Sequence, residues 1–161
     1  MTKRRLLALG ALSFAIALTT ACLGDSLGVA SSPTVEETTF ASSLGIDLSK
    51  YTRTTNGAYY RDITVGTGAA VAVGDSINIR YTGWLSDGTQ FDSNTSAATP
   101  YPSRLDANHI IPGLVEGLPG MRVGGTRQVL VPPALGYGVY QVSQIPGNSV
   151  LVFTVQMIGN P

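Results

Sequence analysis

Cysteine, histidine and charged residues are scarce in this chain. Among its 161 residues there is one cysteine, Cys22, and one histidine, His109, and only 12% of the residues are charged. Because a disulfide needs two cysteines, the fold must rest on its hydrophobic core. A Ser-His-Asp triad or a histidine-based metal cluster needs histidine beside partners that this chain lacks, so both are excluded. We therefore expect neither a metal nor a cofactor.

The charge balance gives no indication of a nucleic-acid partner. Ten Lys and Arg residues match ten Asp and Glu residues. Residues 1–21 hold three of the basic residues and none of the acidic ones, so the chain from Cys22 onward has seven against ten, a formal net charge of −3. A chain without a basic stripe is not expected to bind nucleic acid.

The apolar run at residues 6–18 is 13 residues long, too short to span a bilayer comfortably, which takes about 20 residues. It follows a basic start, which predicts a secretory signal peptide over residues 1–21. The small residues before Cys22 resemble a bacterial lipoprotein processing site, although Thr19 stands where such sites usually have leucine. The resemblance implies an exported protein, lipid-anchored at Cys22 to a membrane of the cell envelope, on its periplasmic or outer face. The alternative is that Cys22 has no role beyond its size.

Residues 22–55 are rich in Ser, Thr, Gly and Ala and show no sustained apolar period. This composition predicts a flexible tether, within which a short helix around residues 35–44 is a weaker alternative. The folded domain is then expected over residues 56–161.

The stretch from Ile77 to Asp92 organises the predicted domain. Ile77, Ile79 and Tyr81 alternate with polar residues, which predicts a half-buried strand. Residues 86–88, Ser-Asp-Gly, form a tight turn, and the chain returns antiparallel to end near Asp92.

The other predicted elements are short strands and one short helix. Pro112 suits the first turn of a helix, and Pro119-Gly120 ends it within about two turns. Alternating apolar residues predict strands over residues 59–65, 101–105, 127–131 and 150–158. The sequence therefore predicts an α+β domain in which a curled antiparallel sheet of four to six strands wraps over one short helix.

Aromatic and branched apolar residues gather near the predicted loop edges, where few polar partners accompany them. Two interpretations remain open, a plain hydrophobic core or an apolar pocket with one carboxylate and some hydroxyl groups. The residues concerned are Tyr81, Phe91, Tyr101, Ile110, Ile111, Tyr137, Ile145 and Phe153.

Four blocks of sequence, in this order and spacing, resemble the FKBP-type peptidyl-prolyl cis-trans isomerases. They read YTGWLSDGTQFDS, HIIPGLVEGLPGMRVGG, PPALGYG and IPGNSVLVFTVQM. The similarity covers residues 59–158, nearly all of the predicted domain. It implies a sheet of five or six strands curled around one short helix, and an enzyme that accelerates rotation about X-Pro bonds, here in exported proteins.

The same resemblance implies roles for individual residues. Leu114 is a departure, because the best-known members have tryptophan at the pocket floor, and this puts macrolide affinity in question. The implied partners are proline-containing polypeptides, macrolide inhibitors and, through the lipid anchor, a membrane, with the protein a monomer. The implied catalytic residues are Tyr81, Phe91, Asp92, Ile111, Tyr137 and Phe153, and the implied substrate-binding residues are Tyr101, Ile110, Leu114 and Ile145.

Our hypothesis for the mechanism is that the apolar pocket removes water from the amide and favours its twisted form, while the Tyr137 hydroxyl and the Ile111 N–H hold the peptide. One alternative is a proline-peptide-binding or chaperone module with the same fold and little turnover. A weaker one is a purely structural envelope lipoprotein, whose aromatic cluster would be buried and dry.

Overall fold

The structure is a computed structural model that describes residues 31–96 and 98–159. The predicted signal peptide, Cys22 and the first part of the predicted tether lie outside the described residues. No helix within the described ranges is long and apolar enough to cross a membrane.

Seven antiparallel strands form one sheet, in the order β1-β2-β6-β7-β3-β4, and β5 shares the outer edge of β3 with β4. One short helix, α1, packs on this sheet, which confirms the predicted α+β architecture. The count exceeds the expected five or six because β1, only two residues long, lies within the predicted tether. The elements are β1 (Thr52–Arg53), β2 (Tyr59–Thr64), β3 (Ser76–Leu85), β4 (Gln90–Asn94), β5 (Tyr101–Arg104), α1 (Pro112–Gly117), β6 (Thr126–Val131) and β7 (Leu151–Gly159).

The inner face of the sheet carries the main core, and α1 lies directly on it. Ile77 and Ile79 of β3 are buried there, as their alternation predicts. The helix approaches β6 closely: a Cβ built on Gly113 would lie 2.4 Å from Val131 Cγ1, and one on Gly117 would lie 2.6 Å from Val129 Cγ1. A helix of six residues is too short to be stable alone, so these contacts determine where it lies.

The prediction of a flexible tether over residues 22–55 is wrong for the part that the structure describes. Residues 31–51, called the N-terminal segment below, cover the outer face of the sheet. The described segment includes the 3₁₀ turns Ser42–Leu44 and Leu48–Lys50, and Val35 is fully buried. Val35 forms a second hydrophobic cluster with the buried residues Tyr59, Leu130, Val150 and Val152. The partly buried residues that pack against this cluster are Phe40, Leu44, Ile46, Leu48 and Tyr51 of the segment and Trp84 of β3.

Hydrogen bonds fix the N-terminal segment to the sheet as well. The Ala41 N–H donates to the Ser86 carbonyl at 2.8 Å, and the Tyr51 hydroxyl donates to Gln128 Oε1. The Gln128 amide in turn donates to the Leu44 carbonyl at 3.3 Å. Because Leu130 of β6 and Val152 of β7 place apolar side chains on this outer face, the sheet needs a cover there, and the segment supplies it.

Candidate functional site

A pocket of about 470 Å³ opens beside α1 and β3. Eight of the ten predicted site residues line it, so the aromatic cluster has an open face as well as a buried one. The lining residues are Ile79, Tyr81, Asp92, Tyr101, Ala107, Asn108, His109, Ile110, Ile111, Pro112, Leu114, Tyr137 and Phe153.

Phe91 and Ile145 are the two predicted residues outside this lining. Phe91 packs edge-on against Phe153, with ring centroids 5.6 Å apart and an interplanar angle of 83°. This packing depends on Gly83, since a Cβ there would lie 2.6 Å from Phe91 Cζ. Ile145 is buried in the main core. Phe91 therefore supports the lining residue Phe153, whereas Ile145 belongs to the core.

Tyr81 and Asp92 form a hydrogen-bonded pair at the wall of the pocket. Antiparallel pairing of β3 with β4 sets Asp92 opposite Gly83, and the Tyr81 hydroxyl donates to Asp92 Oδ2 at 2.8 Å. Burial first, and then the bond to Asp92, raises the pKa of Tyr81 well above its usual value. Its hydroxyl therefore stays protonated at neutral pH and holds the carboxylate in place.

Tyr137 lines the pocket from the long loop between β6 and β7. Its pKa is raised, mainly by burial and then by the charge of Asp92, so it too remains a neutral hydroxyl donor. The loop is held in shape by backbone bonds, from the Gly138 N–H to the Pro133 carbonyl at 2.9 Å and from the Asn148 N–H to the Gly138 carbonyl at 2.8 Å. Tyr137 is thus presented on an ordered loop.

Helix α1 supplies the base of the pocket. Ile111 is its N-cap, and the Ile111 carbonyl accepts from the Leu114 N–H at 3.0 Å. Leu114, at the position where the resemblance implies a floor, is only 6% exposed. That the Ile111 N–H faces a substrate carbonyl stays a prediction.

Sequence reasoning missed part of the lining. Ile79 precedes Tyr81 by two residues on the same strand face, and this alternation was the available signal. His109, to which the sequence assigned no site role, is half exposed and lines the pocket, with its Nδ1 2.7 Å from Asp106 Oδ1. This bond is the main cause that lowers the pKa of Asp106. Within the described part of the chain, no group of three or more His, Cys, Asp or Glu residues is placed to hold a metal ion.

Comparison with known proteins identifies the family that this fold and pocket match. The model of the FKBP-type peptidyl-prolyl cis-trans isomerase family matches residues 68–158. FK506-binding protein 2 of Dictyostelium discoideum is 42% identical over 87 residues, which are 53% of this chain and 65% of that protein. The FKBP-type peptidyl-prolyl cis-trans isomerase FkpA of Escherichia coli is 36% identical over 119 residues, 74% of this chain and 42% of that protein.

The fold matches solved structures as well. The crystal structure of AtFKBP13 superposes with a TM-score of 0.63 at 30% identity, and the match covers 69% of this chain and 98% of that one. By contrast, this chain spans less than two thirds of the length of either curated relative.

Proposed function

The chain belongs to the FKBP-type peptidyl-prolyl cis-trans isomerase family, and we propose that it accelerates rotation about X-Pro bonds in exported polypeptides. The observation that carries this proposal is the pocket itself. Ten of its thirteen lining residues are apolar or aromatic, and its carboxylate, Asp92, is already engaged by Tyr81. Such a site suits a reaction in which no covalent bond is made or broken.

Rotation about a peptide bond is slow because the planar amide loses its resonance on the way. The barrier is about 18–20 kcal/mol, and an X-Pro bond takes roughly tens to hundreds of seconds to rotate unaided. In the twisted amide the nitrogen is pyramidal and the carbonyl is less polar. A catalyst therefore needs only to bind the twisted form more tightly than the planar one.

An apolar pocket favours the twisted form by taking water away from the carbonyl, since the planar and more polar amide loses more hydration. Each tenfold of rate needs about 1.4 kcal/mol, so a thousandfold needs roughly 4 kcal/mol. One neutral hydrogen bond supplies only about 0.5–1.5 kcal/mol. We assign most of the effect to desolvation and shape, and a holding role to the Tyr137 hydroxyl and the Ile111 N–H.

Leu114 favours one alternative function within the same fold. A leucine leaves less flat apolar surface beneath a proline ring than the tryptophan of the best-known relatives. A pocket with this base is suited to binding proline-containing segments with little turnover, as a peptide-binding or chaperone module. Turnover on a short peptide, compared with saturable binding of the same peptide, separates the two functions.

The test is cis-to-trans isomerisation of a proline tetrapeptide by the full chain, beside the double variant Phe91→Ala, Asp92→Ala. We expect acceleration by the wild type and loss of most of it in the variant. Val65→Ala, at a position that is 70% exposed and outside the pocket lining, serves as the matched control. Saturable peptide binding without acceleration would leave the binding module as the function.

We also propose that the protein is a monomer that is exported and anchored in the cell envelope by lipid on Cys22. The basic start, the apolar run and the small residues before Cys22 support export and anchoring. A membrane location would bring the pocket to newly exported chains that contain proline. The test is Cys22→Ser: if this variant is processed and stays membrane-bound like the wild type, the anchor proposal is wrong.

Macrolide inhibitors are a further proposed ligand class. FK506 is named in several relatives, FK506-binding protein 2 of Dictyostelium discoideum among them. Because Leu114 offers less contact area than tryptophan, we expect weak macrolide binding, and we expect Leu114→Trp to strengthen it. Titration of both forms with FK506 measures the difference.

A further inference from the structure

The hairpin at residues 52–59, called the N-terminal hairpin below, contacts the outer side of helix α1 through Glu116. The Thr54 hydroxyl donates to Glu116 Oε2 at 2.7 Å, and the Asn56 side-chain amide donates to Glu116 Oε1 at 2.5 Å. Both carboxylate oxygens are therefore engaged by the same turn. Hydrogen bonds to a charged group are among the stronger ones in proteins.

The hairpin is preorganised for this contact. The Thr54 N–H donates to the Ala58 carbonyl at 2.8 Å, and the Ala58 N–H donates back to the Thr54 hydroxyl oxygen at 3.0 Å. The same hydroxyl group therefore closes the turn and binds the helix. A side chain held in this way loses little freedom when it binds Glu116.

Helix α1 depends on such outside contacts. It has six residues, and its N-cap, Ile111, makes no side-chain cap. At the other end Arg127 Nη1 donates to the Gly117 carbonyl at 2.8 Å, while the same guanidinium pairs with Asp62 at 2.7 Å. A helix this short has no stability of its own, so these polar contacts and the packing on β6 hold it.

The two sides of α1 face different parts of the molecule. Glu116 contacts the hairpin, whereas Leu114 and Ile111 line the pocket. Any displacement of the helix therefore changes the base of the pocket directly.

We propose that Thr54, Asn56 and Glu116 are positioning residues, which hold α1 so that Ile111 and Leu114 form the base of the pocket. The proposal rests on the proposed function and deepens it. When the bonds to Glu116 are lost, a larger fraction of molecules has the helix displaced. Substrate binding must then first restore the helix, which raises the apparent dissociation constant in inverse proportion to the fraction of molecules that stays competent. Once substrate is bound, the pocket is complete again.

The kinetic test compares variants of the full chain on a proline tetrapeptide. We expect the double variant Thr54→Val, Asn56→Ala to raise KM about threefold or more, with kcat within about twofold of wild type. Thr52→Val, an exposed residue of the same hairpin, is the matched control and leaves both constants unchanged. The single variant Thr54→Ser keeps the hydroxyl and, with Asn56 intact, should have the KM of the wild type.

Glu116→Ala tests the contact from the helix side. Alanine is the best helix former, so this change does not weaken the helix through propensity. We expect the same rise in KM as in the double variant Thr54→Val, Asn56→Ala. Combining Glu116→Ala with that double variant should raise KM no further, because both remove the same contact between the hairpin and Glu116. Fully additive effects would overturn the proposal.

Amide hydrogen exchange gives a readout that does not depend on turnover. The Leu118 N–H donates to the Leu114 carbonyl at 3.0 Å and so reports on α1. In the double variant its exchange should be about tenfold faster or more, while the amides of β7 keep their protection. The proposal would be overturned if amide exchange became equally faster in α1 and β7, or if it changed in neither. If the wild type lacks isomerase activity but exchange of the Leu118 amide is faster in the double variant, the proposed function is wrong and the positioning of α1 is supported.

Discussion

Tyr81 shows how one residue connects the pocket to the stability of the fold. Its ring packs edge-on against Tyr101, with centroids 5.9 Å apart, and its hydroxyl is bound to Asp92. Ionising this tyrosine would place a phenolate in a partly buried site next to a carboxylate. The folded state therefore resists ionisation, which is why the pKa of Tyr81 lies above its value of about 10 in an unfolded chain.

The sign of the resulting pH dependence follows from linkage. Because the unfolded chain releases this proton more readily, the contribution of Tyr81 to stability is fully present below about pH 10 and is lost as the pH rises further. We expect the free energy of unfolding, measured with urea at pH 8 and at pH 11, to fall more for wild type than for Tyr81→Phe. An equal fall in both would contradict this assignment, since other tyrosines would then cause it.

Much of the pocket at this scale was predictable from the sequence. Tyr81, Asp92 and Tyr137 lie in blocks shared with the family, and all three line the pocket. Phe91, which the resemblance implies to be catalytic, lies outside the lining and packs against Phe153. The sequence could not distinguish a residue that lines the pocket from one that is covered by a neighbouring ring. Strand alternation predicts the face of the sheet on which a side chain lies, but not whether another ring covers it.

At the scale of elements, the position of α1 depends on two glycines. Helix propensity favours alanine over glycine by about 0.5–1 kcal/mol, so the sequence alone suggests that Gly113→Ala would stabilise the protein. The structure predicts the opposite, because the new methyl group would lie 2.4 Å from Val131 Cγ1. The helix must then move away from β6.

We expect Gly113→Ala to lower the free energy of unfolding by about 1–3 kcal/mol, as for other overpacked sites. Gly159→Ala is the control, because a Cβ at Gly159 meets no atom within 4 Å, and it should stay within about 0.5 kcal/mol of wild type. Urea denaturation followed by Trp84 fluorescence measures both. A stabilising effect of Gly113→Ala would show that the helix is not held as closely as described.

At the scale of the whole molecule, the N-terminal segment is part of the folded unit that runs from Ser31 to Pro161. The sequence did not predict this. The apolar residues of the segment occur at irregular spacing in a polar background, which matches neither a helix nor a strand. Their function depends on the outer face of the sheet, which is assembled from distant parts of the chain, and no local pattern reports it.

Removal of residues 31–50 should therefore lower the free energy of unfolding, which removal of a flexible tether would not do. The deletion would expose Leu130, Val150 and Val152 on the outer face, and each buried apolar side chain contributes about 1.5–3 kcal/mol. We expect fragment 51–161 to lose at least about 3 kcal/mol of unfolding free energy relative to fragment 31–161, and to scatter light at lower concentration. Trp84, the only tryptophan, should show red-shifted emission. Equal stability of the two fragments would show that the segment is dispensable.

The measurement that tests the account most directly is the isomerisation of a proline tetrapeptide by the full chain carrying Phe153→Ala, whose ring lines the pocket, compared with Tyr137→Phe. Trp84 fluorescence confirms that both variants are folded. If desolvation by the apolar pocket supplies most of the rate, Phe153→Ala lowers kcat/KM more than about tenfold. Tyr137→Phe then lowers it less, because it removes only one neutral hydrogen bond. The reverse order would contradict the account and assign the rate to the Tyr137 hydroxyl.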